Sequence, residues 1–381
     1  MRDLNEIRKR IDEIDDGILS LFTERTEIAD EVAEYKIANN LPVMDRARER
    51  SKIAKMIAKT PREMADQVAI LFNHLIETSR ARQNKLMGTT SAPVADIEAA
   101  MAATDPLFPG EADVACQGVE GAYSQIAADK LFKRPFISYF DTFDGVFRAI
   151  EQGFCRYGVL PVENSTAGTV NQVYDLMMRH DFHIVRSVRI KVDHNLLAKP
   201  GATLEGIREI YSHQQAISQC SGFLDSLSDV EVHVCDNTAM AARMVAESDR
   251  TDIAALSSKS CADLYGLSIL RRNVQDKGNN YTRFACISKD LEIYPGSDRT
   301  SLMIIVNHEP GALYKVLSRF YSLDITIIKL ESRPLPDRDF EFMFYFDLEC
   351  QVVAPEFKAL LSTLEDVCEE VRYLGSYTEI I

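Results

Sequence analysis

Residues 4–40 have the sequence LNEIRKRIDEIDDGILSLFTERTEIADEVAEYKIANN, and this stretch decides the fold of the first segment. Apolar side chains recur in it at intervals of three and four residues, namely at Leu4, Ile7, Ile11, Ile14, Ile18, Leu21, Ile28 and Val32. The spacing predicts one amphipathic helix that ends at Asn39-Asn40 before Pro42 and is about 50 Å long. So long a helix needs partner helices, from the same chain or from a second one, to cover its apolar stripe.

Two further helices are predicted downstream. Asp45 is placed to cap a second helix that runs to about Ala58. Thr60-Pro61-Arg62-Glu63 has the pattern of a capping box with proline at the first helical position, which predicts a third helix to about Leu86. Residues 1–87 are therefore expected to form an all-α domain.

Several polar side chains fall on the apolar stripes of these helices. Arg25 and Lys36 continue the stripe of the first helix, and Ser79 and Gln83 continue that of the third. A buried arginine without a carboxylate or ligand is costly. The alternative for Arg25 alone is a salt-bridged or snorkelling charge, but four such residues on two faces favour a pocket for an anion.

This set resembles the active site of the all-helical chorismate mutases. The matching residues are Arg8, Arg25, Lys36, Asp45, Arg48, Glu49, Ser79 and Gln83. The resemblance implies an intertwined dimer in which one chain's long helix contributes to the other chain's pocket. It also implies that the three arginines clamp carboxylates, that Lys36 and Gln83 donate to the breaking ether oxygen, and that Glu49 takes the substrate hydroxyl. The rearrangement of chorismate to prephenate is pericyclic, so no nucleophile or cofactor is expected.

Residues 88–112 have a linker-like composition, with a short helical patch near Ile97. From Asp113 onward, short apolar runs alternate with helical patterns, which predicts open α/β sheets over residues 113–290. Ser187 to Lys199 is expected to be a crossover strand between two lobes.

Four polar clusters follow or open the predicted strands. They are Gly118–Ser124, Glu163–Gly168, Ser212–Gln215 and Asn280–Phe284. These clusters also have ordinary structural interpretations. The two glycines could form a turn rather than an anion-binding nest, Ser212 could be a helix N-cap, and His213 could be a solvated loop histidine.

Together the clusters resemble prephenate dehydratase over about residues 113–290. This chain departs from the family pattern at Val119, Gln214 and Asn237, and these departures affect turns or helix starts. The resemblance implies a two-lobed, periplasmic-binding-protein-like α/β domain that converts prephenate to phenylpyruvate by decarboxylation and dehydration. The expected catalytic set is Glu163, Asn164, Ser165, Ser212, Gln219, Thr282 and Arg283. The resemblance implies that Thr282 lies at the leaving hydroxyl, with Asn164, Ser165 and Gln219 in the cleft. Arg283 is a separate candidate for a carboxylate anchor, and its alternative is an outward-facing structural salt bridge.

Residues 299–381 have a strand–helix–strand–strand–helix–strand pattern that predicts a ferredoxin-like α+β domain. Helices are expected over 311–321 and 355–371, and the alternation around Phe342 and Phe344 predicts a strand with one face on helices. The segment resembles the ACT domains attached to prephenate dehydratases, through Gly311, Ala312 and Leu313 and through Glu331, Ser332, Arg333 and Pro334. The resemblance implies that L-phenylalanine binds between two such domains and inhibits the dehydratase. The alternatives are a helix-start glycine at Gly311 and an exposed strand end at Glu331 and Arg333.

Composition narrows the classes of partner. The net charge of −15 disfavours nucleic acid and anionic membranes, and residues 1–88 carry 16 basic and 16 acidic residues, so the acidic excess lies downstream. No apolar run suits a signal peptide or a membrane span, and the eight cysteines lack metal-type spacing, so a cytoplasmic protein with reduced thiols, no metal and no cofactor is expected.

The sequence therefore predicts a multidomain, bifunctional chorismate mutase–prephenate dehydratase with an ACT domain, as a homodimer or a higher oligomer. Its small-molecule partners are expected to be chorismate, prephenate and L-phenylalanine. Two alternatives remain: a dehydratase whose helical segment only dimerises, and a non-catalytic ligand-binding regulator.

Overall fold

The computed structural model describes residues 3–43, 45–87, 92–336, 338, 341–365 and 367–381. The chain divides into two compact units, one of residues 1–94 with 361–366 and the other of residues 95–360 with 367–381.

The first unit is built from three helices. They are α1 (Leu4–Ala38), α2 (Arg46–Ile57) and α3 (Ala65–Leu86), with a single 3₁₀ turn over Arg62–Met64 before α3. The Asp45 carboxylate accepts the backbone N–H of Arg48 at 3.0 Å, so the predicted cap of α2 is confirmed. The predicted capping box is wrong in its chemistry, because the Thr60 hydroxyl donates to the carbonyl of Met56 and Pro61 itself precedes the 3₁₀ turn.

The apolar stripe of α1 is covered over only part of its length. Ala29 and Ala33 are buried, at 3% and 0% exposure. By contrast, Leu4, Ile11 and Leu21 are 57%, 51% and 67% exposed, although the spacing predicts them to be buried. One chain thus covers only a short part of the stripe, since Ile28 in the second half of the helix is also 49% exposed.

The predicted linker contains a helix of its own. Residues Ala92–Ala103 form α4, and the first strand begins at Glu111, close to the predicted start of the α/β region. Ile97 is 3% exposed, so the short helical patch in the sequence marks a helix with a packed face.

The first lobe of the second unit is a seven-stranded mixed sheet. Its strands are β1 (Glu111–Gln117), β2 (Arg134–Phe140), β3 (Tyr157–Asn164), β4 (Gly168–Thr169), β5 (His183–Lys191), β11 (Tyr281–Ser288) and β16 (Glu379–Ile380). They lie in the order β16-β5-β11-β3-β1-β2, with β4 on β3. The helices of this lobe are α5 (Tyr123–Leu131), α6 (Phe143–Glu151) and α7 (Asn171–Met177).

The second lobe has a sheet of five strands. They are β6 (Asn195–Ala198), β7 (Glu209–His213), β8 (Glu231–Cys235), β9 (Ile253–Ser257) and β10 (Ser268–Arg271), in the order β10-β6-β9-β7-β8. Its helices are α8 (Gln214–Gln219), α9 (Ser221–Asp225), α10 (Thr238–Glu247) and α11 (Lys259–Tyr265), with a 3₁₀ turn over Leu204–Gly206. The predicted crossover near residues 187–199 is two strands, β5 and β6, that belong to different sheets, and the chain returns before β11. The two-lobed prediction is therefore confirmed.

The C-terminal sheet has the predicted ferredoxin-like order. Its elements are β12 (Arg299–Val306), α12 (Ala312–Ser322), β13 (Thr326–Pro334), β14 (Phe342–Glu349), α13 (Pro355–Leu364) and β15 (Cys368–Tyr377). All neighbouring strands in the order β13-β14-β12-β15 are antiparallel. The helix predicted over 355–371 is too long, since α13 ends at Leu364 and residues from Cys368 pair with β12.

The predicted face of β14 against a helix is observed, and the opposite face of the strand is covered as well. Phe346 is fully buried and packs edge-on against Phe320 of α12, with ring centroids 5.0 Å apart. On the opposite face, Tyr345 is 1% exposed and packs on Tyr174 of the first lobe, at 4.7 Å between centroids. The C-terminal sheet is thus covered by its helix on one side and by the first lobe on the other.

Gly375 marks the closest approach of β15 to the first lobe. It has φ +141°, and a Cβ atom built there would lie 2.2 Å from the carbonyl oxygen of Ile184 on β5. Only glycine combines this backbone conformation with so close an approach.

Candidate active sites

In the helical unit, Lys36 lies at the centre of a polar cluster. Its ammonium group donates to the carbonyl of Val43 at 2.5 Å and to Oε1 of Gln83, which is 6% exposed, at 3.1 Å. Partial burial and the nearby Arg48 charge lower the pKa of Lys36, while Asp45 and Glu49 oppose this effect. The fold therefore brings five of the predicted mutase residues to one end of α1.

Arg25 has a carbonyl oxygen as its partner. Its Nη1 donates to Leu75 of α3 at 2.6 Å, and partial burial lowers the pKa of the guanidinium. Among the described residues, the ion pairs of this unit do not include Arg25. The salt-bridge alternative is thus not observed within one chain, and most of the guanidinium's donors remain for an anion.

The other predicted mutase residues do not all lie near this cluster. Arg8 is exposed and precedes Lys36 by 28 residues of one helix, which is about 42 Å along its axis. A single chain therefore does not bring these two residues together. Ser79 is half-buried one turn before Gln83. Arg80 also contacts this cluster, since its Nε lies 3.7 Å from the Glu49 carboxylate. The sequence did not predict this residue, because Arg80 follows the polar Ser79 and does not interrupt the apolar periodicity of the helix.

A cleft of about 570 Å³ opens between the two lobes of the second unit. Its polar lining comes from both lobes and includes Tyr123, Ser124, Asn164, Thr169, His194, His213, Gln215, Gln219, Asp236, Asn237, Thr238 and Thr282. Three of the predicted dehydratase residues, Asn164, Gln219 and Thr282, lie in this lining.

Asn164 and Thr282 are cross-strand partners on β3 and β11. Asn164 Nδ2 donates to Thr282 Oγ1 at 2.9 Å and to Asn280 Oδ1 at 2.8 Å. Thr282 is 9% exposed. Because its oxygen accepts a hydrogen bond from Asn164, the hydroxyl proton of Thr282 is left for another acceptor.

Gln219 extends this arrangement from the second lobe. Its Oε1 accepts from Asn280 Nδ2 at 2.9 Å and its Nε2 donates to Thr166 Oγ1 at 2.9 Å. The Thr166 hydroxyl donates in turn to Asn164 Oδ1 at 2.7 Å. Thr166 and Asn280 belong to the polar clusters Glu163–Gly168 and Asn280–Phe284 that the sequence singles out, but neither was in the predicted catalytic set.

Two predicted serines do not line the cleft. Ser212 is fully buried and donates to the carbonyl of Leu256, while the N-cap of α8 is His213, whose Nδ1 accepts from the N–H of Gln215. Ser165 is exposed and closes the end of β3 on β11, because its Oγ donates to the carbonyl of Asn279. Both the catalytic assignment of Ser212 and its N-cap alternative are therefore wrong, and the Ser165 hydroxyl holds a strand end.

The side chains of Glu163 and Arg283 point away from the cleft. Each is adjacent on its strand to a cleft residue, and neighbouring side chains of a strand point to opposite faces of the sheet. Arg283 is 6% exposed and donates to the buried Asp347 of β14 at 2.5 Å, with Glu163 at 3.4 Å. Burial alone would lower the pKa of Arg283, but the Asp347 carboxylate outweighs it and raises that pKa well above its ordinary value. The carboxylate-anchor prediction for Arg283 is wrong. The structural salt bridge of its alternative is present, but it is buried rather than outward-facing.

Among the described residues that line the cleft there is no lysine or arginine. Helices α5 and α10 start at its wall, where Ser124 and Thr238 present backbone N–H groups and hydroxyls. Helix N-termini favour anions. Gly121 does not add a free nest, because its N–H donates to Gln125 Oε1 and its Cβ position is closed by Cys261, so the turn alternative holds there.

The two predicted effector motifs lie at the same end of the C-terminal sheet, since β12 and β13 both run antiparallel to β14 between them. Gly311 (φ +80°), Ala312 and Leu313 line a cavity of about 460 Å³ that also includes Phe342 and Phe344.

The second motif faces the first lobe instead. Glu331 accepts from Thr169 Oγ1 at 2.7 Å, and Arg333 binds Asp175 through two hydrogen bonds of 2.8 Å. Lys329, two residues earlier, contacts both Thr169 and Glu163. Within one chain, the residues Glu331, Ser332, Arg333 and Pro334 are therefore not part of the lining of the cavity at Gly311, and the expectation of a plainly exposed strand end is also wrong.

The described part of the chain has no metal-type cluster, no membrane-spanning helix and no disulfide. No group of three or more His, Cys, Asp or Glu side chains there could hold a metal ion, and no helix is long and apolar enough to cross a membrane. All eight cysteines are free thiols.

Comparisons with known proteins agree with this division of the chain. Residues 7–84 match the family Chorismate mutase type II, and residues 114–292 match the family Prephenate dehydratase. Bifunctional chorismate mutase/prephenate dehydratase of Aquifex aeolicus is 31% identical over 100% of this chain and 99% of its own. That of Escherichia coli K12 is 30% identical over 97% and 95%. The structure of prephenate dehydratase from Arthrobacter aurescens in complex with L-Phe has a TM-score of 0.64 at 24% identity, over 70% of this chain and 89% of its own.

Proposed function

The chain belongs to the bifunctional chorismate mutase/prephenate dehydratase family, and from this premise we propose how its sites divide the work. The enzyme rearranges chorismate to prephenate and converts prephenate to phenylpyruvate, two steps of phenylalanine biosynthesis. We assign the first step to residues 1–87 and the second to 113–290, with residues 88–112 between them. Residues 299–381 form an ACT regulatory domain in this proposal. The free thiols support a cytoplasmic location.

For the mutase step, the protein holds a compact conformer of the dicarboxylate and stabilises charge on the breaking ether oxygen. Lys36 has three protons and gives two of them to Val43 and Gln83. The third remains for the ether oxygen. Because Gln83 accepts from Lys36 through Oε1, its Nε2 is also left to donate. Arg25 and Arg48 then bind the substrate carboxylates.

The mutase site requires a second chain in this proposal. Arg8 lies about 42 Å from Lys36 along α1, so it serves the pocket of a partner. The exposed apolar stripe from Leu4 to Leu21 supports this arrangement, because a second copy of α1 would cover it. A homodimer, alone or within a larger oligomer, is the assembly that follows.

For the dehydratase step, the single observation that carries the assignment is the 2.9 Å contact of Asn164 Nδ2 with Thr282 Oγ1 in the interlobe cleft. It leaves the Thr282 proton free to pass to the departing hydroxyl group of prephenate, which leaves as water. The ring carboxylate departs as carbon dioxide, and its electron pair completes the aromatic ring. The backbone and hydroxyl donors at Ser124 and Thr238 hold the substrate carboxylates in place of an arginine.

We assign the cavity at Gly311 to L-phenylalanine, which inhibits the dehydratase. The contacts of β13 with the first lobe support a route between the two sites. Glu331 bonds Thr169, which lines the cleft, and Lys329 bonds Glu163, which neighbours Asn164. An effector that moved β13 would therefore act on the strands that carry Asn164 and Thr282.

The test is purified enzyme incubated with chorismate and no added cofactor, with chorismate loss and phenylpyruvate formation followed together. Conversion of chorismate to phenylpyruvate is expected. Persistence of chorismate with turnover of added prephenate would reduce the helical unit to a dimerisation segment. Failure with both substrates would favour a ligand-binding regulator.

A further inference from the structure

His194 lies in the short link between β5 and β6, where the chain first passes from one lobe to the other. Its side chain is 3% exposed and lines the cleft that contains Thr282. Its backbone is held on both sides, because its N–H donates to Gln275 Oε1 and its carbonyl accepts from the N–H of Val274. The mechanism described above does not use this residue.

The amide groups between His194 and Thr282 have only one consistent orientation. Asn164 Oδ1 accepts the backbone N–H groups of Thr166 and Ala167, at 3.0 and 2.8 Å. Backbone N–H groups can only donate, so Asn164 must turn its Nδ2 toward Thr282 and Asn280. Asn280 then accepts through Oδ1, and its own Nδ2 must donate to Gln219.

The same argument fixes the protonation of the imidazole. Gln219 Oε1 lies 2.9 Å from His194 Nε2 and is an acceptor, so Nε2 carries the proton. Nδ1 is then an unprotonated lone pair; it is buried and has no hydrogen-bond partner among the described residues. Burial lowers the pKa of His194, in agreement with a neutral ring.

We propose that His194 is a positioning residue for the dehydratase step: its Nε2–H locks Gln219 and so completes the directed chain Gln219–Asn280–Asn164 that leaves the Thr282 proton free for the leaving hydroxyl. Gln219 spans the cleft from α8, and His194 sits at the crossover between the lobes. The contact therefore connects the crossover between the lobes to the hydrogen bonding of the Thr282 hydroxyl. The inference rests on the proposed role of Thr282.

A pair of substitutions separates donation from packing. His194→Met keeps the bulk and removes the donor, whereas His194→Gln can place an amide N–H near the position of Nε2. We expect His194→Met to lower the dehydratase kcat at least about tenfold with KM for prephenate within about twofold, because a positioning contact acts on the transition state rather than on binding. His194→Gln should restore most of that loss, and the mutase kcat of both variants should be unchanged.

His180 provides a matched control. It is 9% exposed in the first lobe, bonded to Glu151 and Asp144 and stacked on Phe147, outside the lining of the cleft. His180→Met should lower the melting temperature and leave the dehydratase kcat within about twofold. A merely structural His194 would behave like this control, with equal losses in the Met and Gln variants.

A double-mutant cycle tests the route through Gln219. If His194 acts through Gln219, adding His194→Met to Gln219→Leu should lower kcat by less than about twofold more, since the contact is already lost. Additive losses would overturn the inference, and so would a His194→Met enzyme with unchanged kcat. A wild-type enzyme that failed to convert prephenate would instead refute the assigned function.

Discussion

Thr282 and Arg283 are adjacent on β11, yet their side chains reach opposite faces of the same sheet. Thr282 lies in the interlobe cleft, and Arg283 binds Asp347 of the C-terminal sheet at 2.5 Å. One strand thus carries Thr282, the proposed proton donor, on one face and the attachment of the C-terminal sheet on the other. Any change in how that sheet packs on β11 is one residue away from Thr282.

The free proton of Thr282 is the first point to test. Thr282→Val keeps the shape and removes the proton, so the dehydratase kcat is expected to fall by about 10²–10⁴. Thr282→Ser should retain a large part of the activity. Steady-state assays with prephenate would measure both, with the mutase activity of the same sample as the internal reference; equal losses in the two variants would contradict a role for the hydroxyl.

The Arg283–Asp347 pair is expected to matter for stability. Asp347→Asn removes the buried carboxylate and leaves the Arg283 guanidinium with only Glu163, at 3.4 Å, so the free energy of unfolding should fall by about 3 kcal/mol. Replacing both residues, as Arg283→Met with Asp347→Leu, should cost less because no unpaired charge remains. Urea unfolding curves would compare the variants, and a double variant less stable than the single one would refute this account.

Subunit mixing can test the shared mutase site. Arg8→Ala and Lys36→Ala should each abolish most mutase activity as homodimers. After co-refolding at a 1:1 ratio, half of the dimers are mixed and each has one intact pocket, so about a quarter of the wild-type activity should return. A mixture that stayed inactive would place Arg8 and Lys36 of the same chain in one pocket, whereas an active Arg8→Ala homodimer would exclude Arg8 from the pocket.

The contact of Glu331 with Thr169 should carry part of the effector response. Glu331→Gln weakens a 2.7 Å hydrogen bond to a cleft residue, so the L-phenylalanine concentration for half-inhibition should rise at least about fivefold. Glu349→Gln, an exposed acid on β14, is the matched control and should leave that concentration unchanged. Equal responses of the two variants would exclude this route.

Stability should fall on mild acidification. The pKa values of His183, His194 and His213 are lowered from the ordinary value of 6.5, and burial is the largest cause. Between the folded pKa values and about 6.5 the unfolded chain binds more protons, so the free energy of unfolding rises with pH there. The stability that these neutral histidines contribute is fully present above pH 6.5 and is lost as the pH falls below that value. Each histidine adds at most about 1.4 kcal/mol per pH unit to the slope.

Urea unfolding between pH 5 and 7.5 measures that slope. His183→Gln should flatten it by one histidine's share. A slope of the opposite sign in the wild-type enzyme would contradict the neutral state of the buried rings.

Patterns within short stretches of the sequence were enough to predict most helices and strands and their order along the chain. Apolar spacing predicted α1, the three-helix unit and the ferredoxin-like C-terminal domain, because a helix or strand shows its period within a few residues. The sequence also indicated Asn164, Gln219 and Thr282 as cleft residues, and the structure brings the three into one cleft, while their catalytic roles stay predictions. The errors in element bounds, at α13 and at the helix in the linker, occurred where a short segment has no period of its own.

The amino-acid sequence by itself therefore determined the helices and strands, their order, and the residue types available for each reaction. Tertiary structure alone decided which way Arg283, Glu163 and Ser212 point, and that Glu331 and Arg333 bind the first lobe. It also assembled the directed chain from His194 to Thr282 out of residues 88 positions apart. The reason is that the partner of a side chain depends on which element covers its face, and long-range packing decides that coverage.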